Sequence, residues 1–238
     1  VPDFVSAGQF ARLGGAHWRT LLDGHASKAR GEVERIILEG LARGASADSI
    51  APRIRRYIEG ADEFTVAFAK LKGKGVDPFD LPLRSIPKEL RGEAKRIRYN
   101  AERLAASEVN NARAEAELAM FYADPYIVAV QWATAPNRGK MKPPDICDAY
   151  AASDPFGLGR GIWPLHAVPA PPHPWDRCER IPIQDTRRDP SQPKPRPKAI
   201  NPARSFALPK RFGTPSPGAL QRIRDQYTAT ILRVALNT

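Results

Sequence analysis

At 238 residues and 42% hydrophobic content the chain can bury a real core, as one large domain or two small ones. Its two cysteines exclude a disulfide framework and fit synthesis in a reducing cytoplasm, and no apolar run approaches the ~20 residues that span a bilayer. Lys and Arg outnumber Asp and Glu by 37 to 26, a formal charge of +11, which points to an anionic partner or to an Arg-rich proteome.

The first residue is Val1 rather than Met, which predicts a piece or processed product of something longer. Phe10, Leu13, His17, Leu21 and Leu22 lie on one helical face that Gly24 ends. A second helix starts at Ser27, with Val33, Ile36, Ile37 and Leu41 at helical spacing up to Gly44. Ser46 is the expected N-cap of a third, through Ile50, Ile54, Tyr57 and Ile58. Asp62 to Lys72 reads as a further turn or two. Gly73, Gly75, Pro78, Pro82 and Pro87 then mark a connector.

From Lys88 to about Ala123 small and apolar residues recur every three or four positions, among them Leu90, Ala94, Ile97, Ala101, Leu104 and Ala105. This predicts one long amphipathic helix with a narrow, Ala-rich packing face. Arg91, Arg98, Arg113, Glu115 and Glu117 form its solvated or interfacial side. At Pro125 the period changes, and Tyr126 to Trp132 reads as a strand. A turn at Pro136 to Gly139, a short helix from Asp145 to Ala152, a Gly/Pro-rich loop from Gly157 to Pro174 and an edge strand at Ile181-Pro182-Ile183 follow.

The 24 prolines are about twice the usual ~5% and lie mostly after Pro136. Residues 187–211 combine them with eight basic residues: Arg187, Arg188, Lys194, Arg196, Lys198, Arg204, Lys210 and Arg211. Such a segment cannot bury enough apolar surface to fold alone and predicts an extended arm that binds a partner or DNA. Helical spacing returns from Gly218 to Leu236. That helix either anchors on another subunit or folds back on its own core.

The fold class is therefore α+β. The expected divisions are a helical region (1–84), a core of long helix and small irregular sheet (85–183), a basic Pro-rich arm (184–217) and a C-terminal helix (218–238).

The densest chemistry lies between Lys142 and Cys178. Cys147, His173 and Cys178 make a possible zinc set, with His166, Asp145 or Asp148 as a fourth ligand. No C-x-x-C pair is present, so two small core thiols are the alternative. Glu108 has no His or second carboxylate at fixed spacing, and a bond to Arg103 or a loop amide is its expected role.

Four features in order carry a resemblance: Ala106-Ser107-Glu108, Trp132, Asp145-Ile146-Cys147-Asp148 and Pro171-Pro172-His173-Pro174. Together they resemble the C-terminal half of MuF-like phage head morphogenesis proteins, over roughly residues 85–180. Tyr150 and Asp176 stand where relatives often carry Cys, and Ser107 where they carry Thr, so the resemblance implies a reduced metal site in a fold that stands without it. It further implies a structural minor capsid protein rather than an enzyme, needing no cofactor. Such a protein would be made in the host cytoplasm and sit inside the virion head near the portal vertex. Its partners would be the portal protein, the major capsid protein or sister copies, with packaged double-stranded DNA touched without sequence preference and no membrane involved. A metal-dependent hydrolase on Cys147, His173, Cys178 and Glu108, with zinc, is the first alternative. A nucleic-acid-binding protein acting through its arm is the second. No P-loop, G-x-S-x-G or H-E-x-x-H occurs.

Overall fold

A computed structural model describes residues 27–73, 75–135, 144–173, 178–199, 201, 205–207 and 216–236. The helix expected through Phe10 and Leu22 and the turn at 136–139 lie outside these residues. The fold is α+β, with N-terminal helices, a long central helix, a small open sheet and a C-terminal helix. It divides into two compact units, residues 1–113 with the short piece 173–175, and residues 114–172 with 176–238.

The first unit holds α1 (Ser27–Ala42), α2 (Ala47–Ile54), α3 (Ala61–Lys72) and the start of α4 (Arg91–Ala123). Val33, Ile36 and Ile37 share one face of α1 and are buried with Ile50, Ile54, Ile58, Phe64 and Phe68. Ala94, Ile97, Ala101 and Leu104 of α4 complete that core, at the spacing the sequence predicts. Ser46 occupies the N-cap of α2 with extended backbone but makes no side-chain cap bond; its carbonyl accepts the Ser49 hydroxyl at 2.8 Å. Pro52 removes a backbone donor inside α2, which tightens into a 3-10 turn at Arg55–Tyr57. Helix α3 is 12 residues long, more than the turn or two expected, because Phe64 and Phe68 fall on one buried face.

Some cations assigned to a solvated face of α4 instead hold the connector. Arg91 donates to the Ile86 carbonyl at 2.9 Å and the Arg84 carbonyl at 3.0 Å, and Arg98 donates to the Leu81 carbonyl. These bonds satisfy acceptors in a segment with few ladder partners of its own.

The second unit holds the end of α4, β1 (Ile127–Ala133), α5 (Ile146–Ala152), β2 (Ile162–Pro164), β3 (Glu179–Gln184) and α6 (Pro217–Leu236). β1 is central and antiparallel to both neighbours, in the order β2-β1-β3. Pro182 sits on the edge strand β3, where a missing ladder donor costs least. The core is aromatic: the Tyr150 ring lies edge-on to Trp132 at 5.2 Å and to Trp163 at 5.4 Å. Trp163 is fully buried, and its indole N–H donates to the Tyr150 carbonyl at 3.2 Å.

The C-terminal helix folds back onto its own unit. Ile223, Tyr227 and Ile231 are buried with Trp132, Tyr150 and Trp163, and the Tyr150 and Thr230 hydroxyls lie 2.9 Å apart. The described start of the arm, residues 185–199, acts as a strap. The last turn of α4 contains no basic residue, and Lys194 takes over the end of that helix. Its ammonium donates to the carbonyls of Phe121 (2.7 Å), Tyr122 (2.9 Å) and Asp124 (2.6 Å), satisfying orphan acceptors at the negative pole of the helix dipole. Arg188 donates to the Pro125 carbonyl at 2.7 Å beside it.

Lys194→Met keeps most of the side-chain bulk and removes the donors. It is expected to lower stability by about 1–3 kcal/mol, the range for losing charge-assisted hydrogen bonds in a part-buried place. A urea midpoint unchanged from the parent protein would show the strap to be decoration.

Candidate metal centre

The site grows from the start of α5. Asp145 has extended backbone and caps the helix: one carboxylate oxygen accepts the Cys147 amide at 2.9 Å. The Asp145 amide in turn donates to the Asp148 carboxylate at 2.9 Å, closing a capping box. This reciprocal pair fixes the first turn and presents the Cys147 side chain on the helix's buried side, 1% exposed. His173 arrives from the prolines at 169, 171 and 172, whose fixed φ lowers the entropy lost in holding the imidazole.

One donor atom from each of Asp145, Cys147 and His173 lies within 4.8 Å of the other two. Around a tetrahedral zinc, bonds of ~2.0–2.3 Å separate donor atoms by about 3.3–3.8 Å, so modest side-chain shifts suffice to close the set. The mixture of thiolate, imidazole and one carboxylate suits zinc-type borderline cations and not calcium or magnesium, which take oxygen cages. The group is thus consistent with zinc binding, the cofactor weighed from the sequence.

Of the predicted set, Cys147 and His173 come together, and Asp145 rather than Cys178 is the third member. Cys178 packs against the cluster that buries Cys147, and the two stand as a near-disulfide pair of reduced thiols. Asp148 is buried in the capping box. His166 lies elsewhere: its ring donates to the Pro197 carbonyl and stands 6.0 Å edge-on from Phe156. Burial, and then the nearby Arg196 charge, hold its pKa below the ordinary histidine value.

Glu108 is 3% exposed on α4 and is not a member of the group. Arg103 lies five residues before it, roughly 140° round the helix, so the two do not share a face. The Arg103 carbonyl accepts the Ser107 hydroxyl at 2.9 Å. Trp132 is buried in the aromatic core of the second unit. Of the arm, Arg188 and Lys194 are committed to backbone carbonyls, whereas Arg187, Arg196 and Lys198 are exposed. Arg204, Lys210 and Arg211 lie outside the described residues.

Comparison with known proteins finds no matching family model, no matching curated protein and no matching solved structure. The expectation of a chain with no enzymatic role is corrected by the Asp145–Cys147–His173 grouping, a candidate metal-binding triad. Sequence reasoning looked for closely spaced ligand pairs, and this set is assembled from a helix cap and a distant proline-rich loop. Among the described residues, no helix is long and apolar enough to cross a membrane.

Proposed function

We propose that the protein is a zinc-dependent enzyme of hydrolytic type, with Asp145, Cys147 and His173 as the metal ligands. The observation that carries this is the convergence of three different donor types within 4.8 Å. Three protein ligands leave a fourth position, the arrangement of catalytic rather than closed structural zinc sites. When bound, the ion supplies Lewis acidity to a polar group at that position. The chain's own residues do the positioning. Asp148 holds the Asp145 backbone, Asp145 holds the Cys147 amide, and the core around Tyr150 and Trp163 keeps the first turn of α5 rigid.

The test is metal analysis of protein purified under reducing conditions, followed by hydrolysis assays on ester, phosphoester and amide panels with and without a chelator. One zinc per chain and chelator-sensitive turnover are expected. Sub-stoichiometric metal after zinc reconstitution would end this reading.

A second reading, a minor head protein of the MuF-like kind at the portal vertex, is favoured by one observation. The residues that carry the resemblance around Asp145, Cys147 and His173 are those that come together. It predicts co-purification with portal protein at a fixed low ratio in DNA-filled particles, and absence from such particles would exclude it.

A further inference from the structure

We infer that Cys147 and Cys178 form a dithiol that hydroperoxides oxidise, and that the resulting disulfide withdraws Cys147 from the metal ligands. The metal half of this inference rests on the zinc reading above; the thiol half does not. Both thiols are reduced, both belong to the second unit, and they stand as a near-disulfide pair within one hydrophobic cluster. Their exposure divides the labour. Cys178 is half-buried and immediately precedes β3, so it is the sulfur that a small oxidant meets first. Cys147 is 1% exposed and can react only with a partner already beside it. That is the pattern of an accessible sensor thiol with a resolving cysteine.

The chemistry balances with a hydroperoxide as oxidant. The Cys178 thiolate attacks one peroxide oxygen, the O–O bond breaks, and water (or an alcohol) leaves with the thiol's proton. Cys178 is then a sulfenic acid. The Cys147 thiolate attacks that sulfur, an S–S bond forms, the S–O bond breaks, and a second water leaves. Two thiols are oxidised by two electrons in total, and one peroxide is reduced. A sulfur held in a disulfide is no longer a thiolate donor, so the ligand group falls to Asp145 and His173, too few to retain zinc.

The experiment treats the full chain, zinc-loaded and metal-free, with hydrogen peroxide. It reads zinc release with a chromogenic chelator and maps thiols by differential alkylation and peptide mass spectrometry. A Cys147–Cys178 cross-linked peptide that a dithiol reductant reverses is expected, with zinc released in step. Cys178→Ser should still bind zinc but release it at least tenfold more slowly. Intermolecular cross-links in place of the internal one, or over-oxidised Cys178 beside reduced Cys147, would overturn the inference, and so would wild-type release rates in Cys178→Ser. Should Cys178→Ser fold poorly, the wild-type peptide map decides alone. A reduced wild-type protein that takes up no zinc defeats the enzyme reading, and the map on metal-free protein still decides the thiol pair.

Discussion

Cys147→Ala and His173→Ala are each expected to weaken zinc binding by at least about 100-fold, since loss of an outer-shell partner alone costs ~10–100-fold. Asp145 separates ligation from folding. Asn caps a helix as well as Asp, so Asp145→Asn preserves the bond from the Cys147 amide while weakening the carboxylate donor. It should cost about 10–100-fold in affinity with little change in apo stability. Asp145→Ala should add about 1 kcal/mol of lost cap. In wild type, zinc at about 100 times its Kd should raise stability by ~2.7 kcal/mol, and each ligand variant should lose that gain. The sign of the pH dependence follows from the donors: a thiol must lose its proton and an imidazole must be neutral before either binds. Affinity therefore rises with pH, by about tenfold per unit wherever one proton is released. Competition with a chelator of known affinity from pH 6 to 8 measures both effects. Wild-type affinity in the variants at all three positions would place any zinc elsewhere.

Much of this architecture was legible because it rests on periodicity. Ala94, Ile97, Ala101 and Leu104 announce the long helix, and Ile223, Tyr227 and Ile231 its C-terminal counterpart, since packing faces leave a 3.6-residue trace. The parts that were not legible depend on partners remote in sequence. β2 is three residues ending in proline, too short for alternation to register, and exists because β1 offers it an edge. Lys194 read as one cation of an arm that binds a partner or DNA, yet it caps a helix whose final carbonyls lie some 70 residues earlier. The metal group shows the same division. Residue type singled out Cys147 and His173 as donors, but only the folded chain's approach of Asp145 to them, within 4.8 Å, selects that carboxylate over Asp148 and His166.

Gly161 is the position where a single methyl group should do the most damage to the frame of the site. Its φ is +71°, in the left-handed region, and its Cβ would lie 2.7 Å from the Ala151 carbonyl oxygen and 3.2 Å from that of Trp132. Both neighbours are backbone, and neither can move alone. The Gly161 amide donates to the Ser153 carbonyl at 2.7 Å, and its carbonyl accepts from Trp132 at 2.8 Å, joining the end of α5 to β1. Gly161→Ala therefore combines about 1–2 kcal/mol of backbone strain with about 1–3 kcal/mol of overpacking. The sum, roughly 2–5 kcal/mol, is a large fraction of the stability of an ordinary domain. Gly157 is the internal control: its φ is +68°, but no atom lies within 4 Å of a Cβ there. Gly157→Ala should show the strain term alone, about 1–2 kcal/mol. Denaturant unfolding of both variants separates the contributions. Equal losses would mean that the close approach at Gly161 relaxes freely, and that the junction of α5 with β1 is softer than its hydrogen bonds imply.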